Sequence, residues 1–94
     1  MNFKEFIKTR LQKLANLFPE LQIRYAFDTI ADIHVVELTP RDLYDNNAEL
    51  DAEWMKISLD ALTEYPNELI SFVTDDCTVK IENAELTFNE RIGL

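Results

Sequence analysis

Residues 21–39 read LQIRYAFDTIADIHVVELT, and the fold class follows from their period. Leu21, Ile23, Tyr25 and Phe27 alternate with Gln22, Arg24 and Ala26, the two-residue repeat of a strand with one buried face. Asp28 to Asp32 supply a turn, and Ile33 to Thr39 are dominated by β-branched and apolar residues suited to a second strand. Two such strands joined by about five residues form an antiparallel hairpin. Helical patterns on both sides of it make the chain α+β.

Upstream, Asn2 followed three residues later by Glu5 is a capping-box pattern. Phe3, Phe6, Ile7, Leu11, Leu14, Leu17 and Phe18 then recur at helical spacing until Pro19, which predicts a helix over 3–18. Arg10 falls inside that apolar arc, where a buried guanidinium needs a carboxylate. Either it snorkels from a helix edge or it meets an acid across a subunit interface.

Downstream, Thr39-Pro40-Arg41-Asp42 reads as an N-cap, a proline at the first helical position and an acid at the third, predicting a short turn through Leu43 and Tyr44. Asp45-Asn46-Asn47 breaks that turn and can cap a helix over 48–65, which Pro66 ends. Leu69 to Thr74 have the continuous apolar character of a central strand. Asp75-Asp76 mark a turn, Val79 and Ile81 alternate with Thr78 and Lys80 in a fourth strand, and Leu86-Thr87-Phe88 add a short fifth. The expectation is a single compact domain over 1–94, of order α-β-β-α-β-β. Two helices pack on one face of a largely antiparallel four- to five-stranded sheet.

Composition narrows the function classes. With 47% apolar residues, including six Phe and one Trp among 94 positions, the chain can bury a core without a metal or disulfide staple. Its net charge is −9, which argues against direct binding of nucleic acid, since proteins that bind it present a basic stripe. The charge is segregated: the first 24 residues carry +3 and the remaining 70 carry −12. Opposite patches on one small domain steer a charged partner or pair two copies head to tail. No apolar run approaches the ~20 residues of a membrane span, and no secretory signal is expected. Cys77 is the only cysteine, so a reducing, cytoplasmic setting is the expectation.

Catalytic motifs are missing for a stated reason. The only glycine is Gly93, whereas phosphate-cradling loops, dinucleotide fingerprints and nucleophile elbows all need glycines. Turns must rely on Asp and Asn instead, which tolerate left-handed backbone. Cys77 and the sole histidine, His34, form the one available nucleophile–base pair, yet both share parity with apolar strand residues and read as core positions. One Cys and one His cannot build a zinc site, and the Asp-rich segments 28–32, 42–45 and 75–76 lack the spacing of a calcium loop. No cofactor or metal is expected.

The helix over 48–65 is the informative element. Leu50, Trp54, Ile57, Ala61 and Tyr65 form a core stripe. A second apolar band, Ala52, Met55, Leu59 and Leu62, lies elsewhere on the wheel beyond Asp51 and Ser58. A combined arc above about 200° implies burial on two sides. Either the N-terminal helix covers the second band or another protein does. The acids Glu49, Glu53, Asp60 and Glu64 form a further stripe, suited to solvent or to a basic partner. The leading expectation is a non-enzymatic adaptor or inhibitor that binds a basic protein partner, with a homodimer as a further possibility. The alternative is a small-ligand binder or enzyme with a pocket near His34 and Tyr25.

Overall fold

The structure is a computed structural model, and it describes residues 2–74, 81 and 83–89. Its elements are α1 (Phe3–Leu17), β1 (Gln22–Asp28), β2 (Ile33–Thr39), α2 (Arg41–Asn46), α3 (Ala48–Glu64), β3 (Ile70–Val73) and β4 (Leu86–Phe88). The expected α+β architecture is present, with α1 and α3 packed on one face of a four-stranded sheet.

The two long helices start where their caps predict. The Asn2 side chain accepts a hydrogen bond from the Glu5 amide at 2.9 Å, and the Asn47 side chain accepts from the amides of Glu49 and Leu50, both at 3.0 Å. The short helix α2 begins one residue later than its sequence suggests, with Pro40 at the N-cap and no side-chain cap. Thr39 is still paired with Gln22 as the last residue of β2, so it belongs to the strand.

The strand order is β3-β2-β1-β4. β1 pairs antiparallel with β2, in a register that sets Tyr25 opposite Val36 and Phe27 opposite His34, and antiparallel with β4. β3 pairs parallel with β2, so the sheet is mixed. The reason is the connection: α3 carries the chain back along the sheet before β3 begins, as a helical crossover between parallel strands must. Among the described strands β3 is therefore outermost, where its apolar run suggests a central place. The expected strand at 78–81 lies outside the described residues apart from Ile81, as do Cys77, Asp75-Asp76 and Gly93.

One core lies between helices and sheet, from Phe3, Phe6, Ile7, Leu11 and Leu14 of α1 through Ile23, Tyr25, Val36 and Leu38 to Leu50, Ile57 and Ala61 of α3. Fully burying each of the larger side chains stabilises the fold by roughly 1.5–3 kcal/mol. A second, smaller cluster occupies the opposite face, where Ile81 and Ala84 pack on Val35, Val73, Ala26 and Ile33. β2 is thus buried on both faces, which explains why Ile33–Leu38 lack a clean alternation. On that second face Arg24 lies 3.3 Å from its cross-strand partner Glu37, and its other terminal nitrogen donates to the Ile81 carbonyl at 3.0 Å.

Turn chemistry without glycine uses Asp and Asn, as expected. The Asp28 carboxylate accepts from the amides of Ile30 and Ala31, and Asp32 adopts φ 58°. Asn89, at φ 56°, donates its side-chain amide to the carbonyls of Ala15, Phe18 and Leu21 and so ties the end of α1 to the end of β4.

Candidate functional site

The stripe Leu50, Trp54, Ile57, Ala61 and Tyr65 faces the core, with Trp54 stacked on Tyr44 of α2 and tilted against Phe72 of β3. That orientation turns the second apolar band outward. Met55, Leu59 and Leu62 are 49%, 64% and 62% exposed, and Ala52 is exposed beside them. α1 does not cover them, because it meets α3 along the other flank of the core stripe.

The acidic stripe lies on that other flank. The two helices run antiparallel, with Phe6 of α1 against Tyr65 at the end of α3 and Leu17 beside Glu49, Ala52 and Glu53 at its start. Midway along the seam the Arg10 guanidinium pairs with the Asp60 carboxylate at 2.7 Å and lies 5.5 Å from the centre of the Phe6 ring. Arg10 thus finds its acid within the chain, not across a subunit interface. Glu49 and Glu53 line a depression of about 290 Å³ together with Leu17, Phe18 and Ala52. Glu64 is exposed at the far end of the helix.

A separate constellation surrounds His34. The Tyr25 hydroxyl is 2.6 Å from Nδ1, and a Glu68 carboxylate oxygen is 2.6 Å from Nε2. A neutral imidazole satisfies both contacts, accepting from Tyr25 and donating to Glu68. The rings of Phe3 and Phe27 cover the imidazole at centroid distances of 4.2 and 4.7 Å. Burial, with the Glu85 and Glu68 carboxylates adding to it, pushes the Tyr25 phenol up to about 12. Glu85 accepts from Lys4 at 2.9 Å and from the Phe27 amide at 2.7 Å, and these bonds, the Lys4 one foremost, hold its carboxyl below the usual range.

His34 is therefore a hydrogen-bonded core histidine, as its parity suggests. Its partner Glu68 was not foreseeable, because it sits in the turn after Pro66 where no periodicity fixes direction. Larger surface depressions lie elsewhere, of about 530 Å³ beneath the β1–β2 hairpin, about 490 Å³ along Glu5, Lys8, Thr9 and Gln12 of α1, and about 460 Å³ at the α2–α3 corner. Among the described residues no group of three His, Cys, Asp or Glu side chains is arranged to hold a metal ion, and no helix is long and apolar enough to cross a membrane. No protein-family model matches the chain, and no similar curated protein or solved structure is found.

Proposed function

We propose that this chain is a non-enzymatic protein-interaction module, an adaptor or inhibitor that docks a basic partner on the outward face of α3. The observation that carries the reading is the exposure of Met55, Leu59 and Leu62 on a helix whose other apolar stripe is already buried in the core. Apolar residues at spacings of three and four present the anchor row that an amphipathic segment recognises.

Charge selects the occupant. α3 carries five acids and a single lysine, so packing it against α3 of a second copy sets like charge against like. A partner with apolar anchors and flanking cations meets the band and, beside Ala52 at the start of α3, Glu49 and Glu53. A chain of −9 with one cysteine suits a reducing, cytoplasmic setting for such a contact. Both His34 ring nitrogens are bonded within the chain and its faces are covered, which directs the reading away from a ligand pocket there.

The test compares the native chain with Leu59→Glu as immobilised bait. A basic protein retained by the native chain, released by salt and lost with Leu59→Glu supports the reading. Retention unchanged by Leu59→Glu, or by reversing Glu53, Asp60 and Glu64 to Lys, overturns it. A solution mass of twice 11.0 kDa that falls to 11.0 kDa with Leu59→Glu gives the face to a second copy instead.

A further inference from the structure

We infer that the open end of the α1–α3 seam, lined by Leu17, Phe18, Ala52, Glu49 and Glu53, is a recognition site for an arginine side chain supplied by the partner. The inference rests on the reading of α3 as a docking helix and names what the partner must carry.

The seam contains its own template. On antiparallel helices, residues seven apart occupy the same face two turns on. Glu53 stands seven residues before Asp60, and Leu17 stands seven after Arg10. The acid of the Arg10–Asp60 pair is thus repeated at the open end, whereas the α1 position that holds its cation carries a leucine. Leu17 is 51% exposed, although the helix places it on the flank facing α3. Neither the Glu49 nor the Glu53 side chain makes a hydrogen bond or ion pair with another described residue, and neither Lys13 of α1 nor Lys56, three residues beyond Glu53 on α3, pairs with either of them.

The chemistry favours arginine over lysine. Glu49 and Glu53 are one helical turn apart, roughly 6 Å between their Cβ atoms, and repel each other until a cation bridges them. A planar guanidinium presents donors along two edges and can engage both carboxylates, whereas an ammonium is a point charge. The aliphatic stem of the same side chain lies on Leu17, Phe18 and Ala52. Arg10 shows the charge-pairing part of this mode within the chain, its guanidinium bonded to Asp60 and lying over the Phe6 ring. The helix N-terminus does not account for both acids, since Glu53 lies beyond the first turn of α3.

The experiment titrates the full-length, isotope-labelled chain with a short capped leucine-flanked arginine peptide and follows backbone amide shifts. The control peptide replaces arginine by citrulline, its neutral isostere. Shifts centred on 17–18 and 49–53, about tenfold weaker with citrulline and about tenfold weaker for Glu53→Gln, are expected for a charge-dependent site. Leu17→Arg recreates the Arg10–Asp60 pair one repeat on, and it should fill the site and abolish the shifts. Equal binding of the citrulline peptide, indifference to Glu53→Gln, or full binding by Leu17→Arg overturns the inference. Because Leu59→Glu leaves this end of the seam intact, arginine-dependent shifts that persist in that variant separate the groove from the outward band. Loss of partner capture in Leu59→Glu but not in Glu53→Gln leaves the band standing without the groove.

Discussion

Arg10 and Asp60 join the two helices at 2.7 Å, on the flank where the acidic stripe of α3 meets the basic helix α1. Burial of the core stripe sets that orientation and leaves the Met55, Leu59 and Leu62 band facing outward. The Arg10 side chain is 22% exposed and that of Asp60 41%, so the bond is partly screened. Asp60→Ala should therefore cost about 0.5–1 kcal/mol in urea unfolding. Arg10→Ala should cost more, because it also removes packing on Phe6. A double-mutant cycle with no coupling between the two positions would show that the pair adds nothing to the seam.

Several of these features are legible in sequence for physical reasons. Caps and helical spacing mark α1 and α3, and strict alternation marks β1, because each depends on neighbours within a turn or two. Arg10 announced that it needed a carboxylate but not whose. Finding Asp60 requires knowing that α1 and α3 lie antiparallel. The parallel pairing of β3, the Glu68 contact to His34 and the contacts of the Asn89 side-chain amide with the Ala15, Phe18 and Leu21 carbonyls all join segments far apart in sequence. No local period encodes them. The second cluster left one trace, the absence of alternation in β2, which fits a strand covered on both faces.

The two faces of α3 should respond oppositely to substitution. Met55→Glu and Leu59→Glu place charge in solvent and should change unfolding free energy by no more than about 0.5 kcal/mol. Ile57→Ala opens a gap beneath the same helix and should cost about 2–4 kcal/mol. Chemical denaturation followed by circular dichroism measures both. A strongly destabilised Leu59→Glu would mean that the band is buried in solution and that the interaction reading has lost its surface.

Glu85 gives the acid limb of stability a specific origin. Its carboxyl is held low by the Lys4 bond first and the Phe27 amide second, so the folded state favours the ionised form more than the unfolded chain does. The contribution is fully present above the ordinary glutamate range and is lost as pH falls through the lowered folded-state value. Glu85→Gln should flatten that limb while leaving the neutral-pH plateau of the unfolding midpoint only slightly lower. An acid limb of unchanged slope in Glu85→Gln would assign the proton uptake to other carboxylates.

The alkaline limb belongs to Tyr25, with the opposite sign. Its phenol is raised from the ordinary 10.0 to about 12, chiefly by burial, so the folded state resists ionisation that the unfolded chain permits. The stability this represents is complete below the unfolded value near 10 and is lost as pH rises through the folded one. Absorbance titration of the native chain should show a phenolate step near pH 12 that vanishes in Tyr25→Phe. The same variant deprives His34 Nδ1 of its buried hydroxyl partner, at a cost of about 1–2 kcal/mol at neutral pH. If the phenol instead titrates near 10 while the chain remains folded, solvent reaches the Tyr25–His34–Glu68 chain, and the ligand-pocket reading around His34 regains its footing.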